Sequence, residues 1–324
     1  MDNRATAGLA IIFGECLADV FGPTEVPGGA PYNVARHLAG LGLAPAFVSR
    51  VGKDALGQRL AAELRNLGPC HNFIQQDAVL PTGRVTVHAD PAGHRFEILR
   101  DQAYDHIAWP AELPAHVART STTLPWLYFG TLAQRSATNR ATLERLRREI
   151  PHACFVDLNW REGQLAPSLA QAALDQADEL KLSSEELNLM LGWAGLGTHG
   201  ERPPAPCAQP ALPVQALLQG RRVRQLIVTY GAQGYALWNA GGVCEISGAA
   251  APVAQLVDTV GAGDAFSAIT LAGLLVGWPR ATSLERASAF AAAICGIRGA
   301  LPAEGGFYAP WRERWGLPDV GRRW

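Results

Sequence analysis

Gln255-Leu-Val-Asp-Thr-Val-Gly-Ala-Gly-Asp-Ala-Phe-Ser-Ala-Ile269 decides how the rest of the chain is read. It has the form of an extended segment, a glycine turn and a helix continuing through Leu275. Gly261 and Gly263 fall where the backbone must turn sharply or come close to a ligand, which the missing Cβ permits. The amides of Ala262, Gly263 and Asp264 then open a helix N-terminus, with unused donors and a partial positive charge. Such a place holds an anion, typically a phosphate. Asp264 stands among those amides, and Asp258 lies six residues upstream. A carboxylate base beside an anion hole is what phosphoryl transfer to a hydroxyl needs. Asp264 as a plain N-cap over an ordinary glycine turn accounts for the same residues. From this stretch alone the two readings stand level.

Composition sets the outer bounds. With 324 residues, 48% of them hydrophobic, the chain can bury a large core as one sizeable domain or one plus a small lobe. A net charge of −1 and a pI near 6.7 argue against a nucleic-acid or membrane surface. No apolar run approaches the roughly 18 residues of a membrane span, and the first residues lack the basic-then-apolar form of a leader. Cys16, Cys70, Cys154, Cys207, Cys244 and Cys295 are scattered without metal-ligand spacing, so reduced thiols in a cytoplasmic protein are expected. The only lysines are Lys53 and Lys181, and no GxxxxGK[ST] sequence exists, so a P-loop is excluded. Any phosphate must be held by backbone amides, a metal or arginine, in a pocket expected to contain no lysine.

The remaining chain alternates strand-like and helix-like segments, the pattern of a mostly parallel sheet covered on both faces. Strands are expected near 9–13, 46–51, 126–129, 154–156, 179–182 and 226–229, with a hairpin from Tyr235 to Ile246. Helices are expected after Gly28-Gly29-Ala30-Pro31, over Ala55 to Leu67, Ala137 to Glu149, Ser168 to Gln176 and Ser283 to Ile297, and from Ser183 to Leu191. Residues 82–89 and 94–100 alternate around Asp90-Pro91-Ala92-Gly93 as a hairpin that must pack on something to be stable. Polar groups recur where strands end: Asp19, then Asp157, Asn159 and Arg161, then Ser183 and Glu186, then Thr229. Their recurrence along one sheet edge points to a ligand cleft. Gly195-Leu-Gly-Thr-His-Gly200 is formally GxGxxG, but it lies in a Pro- and Gly-rich segment from Gly195 to Pro213 that reads as a surface loop, and no strand precedes it.

Two of these segments carry a resemblance. Asp258-Thr259-Val260-Gly261-Ala262-Gly263-Asp264 and Gly28-Gly29-Ala30-Pro31-Tyr32-Asn33-Val34-Ala35 resemble the C-terminal and N-terminal signatures of PfkB (ribokinase-like) carbohydrate kinases. Similarity runs from about Ile11 to Ala300, and it tips the balance toward phosphoryl transfer. The resemblance implies a three-layer α/β/α sandwich with a mostly parallel central sheet, in one kinase domain spanning 1–324, with a small β lid from about 15–30 and 82–100. It implies ATP and Mg²⁺ as cofactors, with K⁺ in many members, a small-molecule sugar as partner, and a homodimer contact through the lid. Asp264 would be the catalytic base, and the amides from Gly261 through Ala262 and Gly263 would stabilise the moving phosphoryl. Asp19, Gly28, Gly29, Asn33 and Arg161 resemble sugar-binding positions. Thr229, Gly231 and Gly234 resemble a nucleotide-binding TxGxxG. Ser183 and Glu186 stand where the family often has Asn-x-x-Glu, with Glu186 organising Mg²⁺ through water; the serine is a departure seen in fructokinase-like members. Asp258 resembles a residue of a monovalent-cation site. The motifs look most like those of fructokinases. A 2-keto-3-deoxygluconate kinase or another sugar or nucleoside kinase of the family is the rival, and a catalytically silent sugar-binding regulator is the alternative from another class.

Overall fold

A computed structural model describes residues 8–67, 70–90, 93–161, 163–197, 212–303 and 305–318. Its first strand, β1 (Ala10–Phe13), is Ala-Ile-Ile-Phe and is buried on both faces, as a central strand of a covered parallel sheet must be. There follow β2 (Leu17–Phe21), β3 (Thr24–Gly28), α1 (Ala30–Gly40), β4 (Ala46–Gly52), α2 (Ala55–Leu67), β5 (His71–Asp77), β6 (Gly83–Asp90) and β7 (Gly93–Ile98). The middle of the chain gives α3 (Leu113–Thr120), β8 (Trp126–Phe129), α4 (Ala137–Glu149), β9 (Ala153–Asp157), α5 (Pro167–Gln176), β10 (Glu179–Ser183), α6 (Ser184–Trp193) and α7 (Leu212–Leu218). The last third adds β11 (Gln225–Thr229), β12 (Tyr235–Asn239), β13 (Cys244–Gly248), α8 (Ala262–Val276), α9 (Arg280–Ile294) and α10 (Ala309–Trp315).

Nine strands form the main sheet in the order β13-β12-β11-β10-β9-β8-β1-β4-β5. From β11 to β5 every pairing is parallel, and the β12–β13 hairpin closes one edge antiparallel. The two-residue period of β1 sorts the core: Ile11 and Phe13 pack with α3 to α7, whereas Ala10 and Ile12 pack with α1, α2 and α8. This is the α/β/α sandwich expected from the sequence. A second sheet, β3-β2-β6-β7, stands apart from it. Leu17, Val85, Tyr104 and Leu132 pack together where the two sheets meet.

Three details depart from the sequence reading. Residues 255–258 are not a strand; they belong to an irregular segment between β13 and α8. Part of the segment read as a loop, from Leu212 on, is α7, and 198–211 lie outside the described residues. Cys16, Cys70, Cys154 and Cys295 are free thiols, but Cys244 is disulfide-bonded, with its partner outside the described residues. No helix among the described residues is long and apolar enough to cross a membrane.

Gly83 opens β6 so close to Tyr104 that an added Cβ would stand 2.6 Å from the ring and 2.8 Å from the Leu17 Cβ. Gly83→Leu is therefore expected to wedge the small sheet away from Tyr104 at a cost of about 1–3 kcal/mol. A lowered urea midpoint is the expected result, and a wild-type midpoint would contradict this packing.

Candidate active site

Two chain turns, remote in sequence, meet at the C-terminal end of the central strands. In the first, Gly29 adopts φ 101°, and a Cβ there would lie 2.8 Å from the Glu15 carbonyl oxygen. The chain can then start α1 at once, and Asn33 N–H donates to the Gly29 carbonyl at 2.8 Å. In the second, Gly261 caps α8 in the left-handed region at φ 77°, pressed against Ala300 so tightly that any side chain would collide with it. Asn33 is buried, and its Nδ2 donates to Asp264 Oδ2 at 2.7 Å. That bond joins the two turns.

Cavities lie on either side of the α8 N-terminus. One, of about 360 Å³, is lined by Glu15, Asp19, Gly29, Asn33, Arg161 and Asp264, with Leu17, Val85 and Ile98 supplied by the small sheet and its exit. The other, of about 650 Å³, is mainly apolar and is lined by Thr229, Gly231, Gly234, Leu256, Ala262 and Phe266 among others. Gly263 borders both. Ala262 N–H is spent on the Thr259 carbonyl at 3.3 Å, which narrows the sequence reading of three outward amides. The amides of Gly261, Gly263 and Asp264 have no acceptor among the described residues. The first turn of α8 thus forms the partition between the cavities, with free donors and one carboxylate on it.

Gly28, Ser183, Glu186 and Asp258 stand outside both cavity walls. Gly28 ends β3 so near Asp19 that a Cβ would lie 2.9 Å from its Oδ2. Ser183 and Glu186 form a capping box that starts α6, and Glu186 also accepts Trp160 N–H at 2.6 Å. Asp258 ties its loop to the far strap: Oδ1 accepts Val260 N–H and Oδ2 accepts Gly299 N–H, both at 3.0 Å.

Among the described residues neither cavity is lined by a lysine, as expected, but Lys181 lies one layer behind their shared wall. It is buried on β10 with its Nζ 3.0 Å from both carboxylate oxygens of Asp157. The same Nζ lies 3.7 Å from where a Cβ on Gly263 would stand, directly behind the first turn of α8. Ser267 Oγ donates to Asp157 Oδ2 at 2.6 Å, which locks α8 to the pair. Burial opposes the charge on Lys181, but Asp157, with Glu186 behind it, outweighs that and holds its pKa above the ordinary lysine value. The sequence signal was available: one of only two lysines in the chain sits among the apolar residues of a strand, where an unpaired ammonium could not stay. Asn159, one of the strand-end polar residues, lines the smaller cavity and adopts φ 44°, an uncommon conformation for a residue other than glycine.

The carboxyl groups here are shifted together. Burial pushes Asp264 above the ordinary aspartate value and Asp157 adds to this, while the Asn33 hydrogen bond, Arg161 and Lys181 oppose it. Burial likewise raises Asp19 to about 6, against the pull of Arg161. Glu15 rises to about 7, chiefly from loss of water. A base whose proton affinity exceeds that of a free carboxylate is better matched to a hydroxyl.

The pfkB family carbohydrate kinase model matches residues 4–304. This chain belongs to the pfkB family of carbohydrate kinases. Among the kinase's curated relatives, fructokinase of Klebsiella pneumoniae is 32% identical over 282 residues, covering 81% of this chain and 83% of that protein. Fructokinase-1 of Oryza sativa subsp. japonica is 33% identical over 285 residues, 80% of each. Among solved structures, fructokinase from Xylella fastidiosa with bound ATP superposes with a TM-score of 0.75 at 23% identity, covering 94% of this chain and 99% of that one. Fructokinase from Vibrio cholerae in its fructose, ADP and calcium bound form gives a TM-score of 0.69 at 22% identity, with the same coverage. The kinase is thus a phosphotransferase acting on a sugar, built on the ribokinase-like fold.

Lys181→Met leaves Asp157 unpaired in the interior, which is expected to cost roughly 3–5 kcal/mol. It also removes a cation that lowers the Asp264 pKa. Turnover should fall as pH drops through the raised pKa of Asp264, and in Lys181→Met that acidic limb should move to still higher pH. Thermal melts and pH–rate profiles test both; an unshifted limb would detach Lys181 from Asp264.

Proposed function

We propose that this kinase transfers the γ-phosphoryl of ATP to a hydroxyl of a neutral ketohexose, with fructose the expected acceptor. The observation that carries the reading is the shared wall: Asp264 and the free amides of α8 stand between one polar cavity and one apolar cavity. The polar cavity takes the sugar through Asp19, Asn33 and Arg161, with Gly29 letting the backbone close around it and Gly28 leaving room for the Asp19 carboxylate. The apolar cavity takes the nucleotide beside Thr229, Gly231 and Gly234. The Xylella fastidiosa and Vibrio cholerae fructokinases hold ATP, and fructose with ADP, respectively.

The chemistry follows from the charges. Asp264 accepts the proton of the sugar hydroxyl as its oxygen attacks the γ-phosphorus, and ADP leaves on the opposite side. The amides of Gly261, Gly263 and Asp264 face the negative charge that develops on the phosphoryl oxygens, and a donor of this kind is commonly worth about 10²–10³ in turnover. Lys181, one layer deeper, adds a fixed positive charge behind those amides. Mg²⁺ bound with the nucleotide would supply further neutralisation. Glu186 fits a role toward it through water: each carboxylate oxygen already accepts one main-chain N–H, and the remaining lone pairs suit hydrated hard-cation chemistry. Asp258 is the residue through which a monovalent cation would be held near Gly299. The small sheet is read as the lid over the sugar and as the face for a homodimer.

Charge also favours a neutral acceptor. Glu15, Asp19 and Asp264 line the sugar cavity against one cation, Arg161. The carboxylate of 2-keto-3-deoxygluconate would add a further negative charge to that set, whereas fructose adds none.

Coupled ADP-release assays with fructose, ribose, 2-keto-3-deoxygluconate and adenosine should give the highest kcat/KM for fructose; preference for the sugar acid would overturn the charge argument. Asp264→Asn should bind sugar and ATP yet lose roughly 10²–10⁴ in kcat. Tight sugar binding by the wild type without turnover on any acceptor would make the protein a silent sugar-binding regulator.

A further inference from the structure

The sugar cavity contains one carboxyl group that phosphoryl transfer leaves unused. Glu15 lies just beyond β1, beneath Gly29, and is 4% exposed. Main-chain N–H groups of Ala30 and of Glu15 itself lie near its carboxyl and favour the charged form. Oε2, in contrast, is buried without any hydrogen-bond partner. A buried polar oxygen left unpaired is costly to maintain, and in a cavity wall it marks a place for a ligand group.

Its surroundings argue about the state of that group. Asp264 faces Glu15 from α8, and Asp19 lines the same cavity from β2. Arg161, after β9, is the cation nearest in effect. Tyr104 and Arg135 from the turns beside the small sheet, Tyr128 from β8 and the neighbouring Cys16 also feel its charge. Burial pushes the carboxyl to about 7, with Asp264 adding to the shift and Arg161 opposing it. Asp264 must stay a carboxylate to act as base. An anionic Glu15 would compete with it for the same hydroxyl proton and would leave three negative charges facing one guanidinium. A neutral Glu15 removes both conflicts, because its O–H donates and leaves Asp264 the stronger acceptor.

On the reading that this cavity holds the acceptor sugar, we propose that Glu15 binds the sugar in its neutral form. Its Oε2–H donates to a sugar oxygen and so couples sugar binding to uptake of one proton. Above neutral pH that proton comes from solvent and returns to it when the sugar departs; it is separate from the hydroxyl proton passed to Asp264. Glu15 is thus a specificity residue: it selects for a sugar that places an acceptor oxygen at the cavity floor, and it makes affinity pH-dependent.

Calorimetric titration of the intact kinase with fructose, without nucleotide, from pH 6 to 9 in buffers of differing ionisation enthalpy tests this. Wild-type affinity should fall as pH rises beyond about 7, approaching about tenfold per pH unit, with proton uptake nearing one per sugar. Glu15→Gln keeps a carbonyl for Ala30 N–H and offers an amide N–H in place of the carboxyl O–H. It should bind fructose nearly as well as wild type at pH 6, hold that affinity to pH 9 and take up no proton. Glu15→Ala should weaken binding about tenfold or more at pH 6. Asp19→Asn should bind the sugar more weakly but keep the wild-type proton uptake per sugar bound, which assigns the linkage to Glu15. A Glu15→Gln profile as pH-dependent as wild type, or a flat wild-type profile, would overturn the proposal while leaving the sugar cavity standing. Failure of the wild type to bind any sugar would overturn the cavity reading and this inference with it.

Discussion

One hydrogen bond holds the candidate site together: Asn33 Nδ2 to Asp264 Oδ2, closing a sequence separation of 231 residues. Neither partner can be there by local structure alone. Asn33 arrives because Gly29 turns the chain beneath β3 and starts α1 without a spacer. Asp264 arrives because Gly261 takes a left-handed conformation against Ala300. The bond ties the start of α1 to the start of α8, and both helices pack on the same face of the main sheet. A carboxylate held this way keeps its orientation while burial raises its proton affinity.

Beneath that bond lies a second constraint of a different kind. Lys181 and Asp157 are buried on adjacent parallel strands, and Ser267 links them to α8. An ion pair in the interior is a poor source of net stability, since desolvation cancels much of the attraction. Its value here is positional. It sets the height of the first helical turn relative to the strand ends, and it places a permanent positive charge behind amides that carry only partial charges.

Much of this was legible in the sequence because it is written locally. The glycine turn before Asp264, the Gly-Gly-Ala-Pro start of α1 and the all-apolar run of β1 each dictate their own conformation, so the parallel sheet and both signature turns could be read directly. Residues whose role depends on partners far along the chain were not legible. Lys181 stands out in its apolar strand as a cation in need of a partner, but which carboxylate pairs with it shows only when Asp157 is placed 3.0 Å away. Glu15 reads as a turn acid until Gly29 buries it. The left-handed Asn159 and the use of Ala262 N–H by Thr259 depend on backbone angles that composition does not encode. The strand over His71–Asp77 was missed because its polar residues, Gln75 and Gln76, belong to an edge strand that needs no continuous apolar run.

In the proposed reaction Asp264 and the free amides occupy the same turn of α8, so their separation is fixed by helix geometry and cannot be adjusted one against the other. Variation in acceptor must therefore be accommodated on the opposite bank, where Leu17, Val85 and Ile98 enter from the small sheet. On that reading the division gives the fold a fixed reaction coordinate and an adjustable substrate wall. Its repertoire of sugars can drift through the four outer strands while the reacting atoms keep a single geometry.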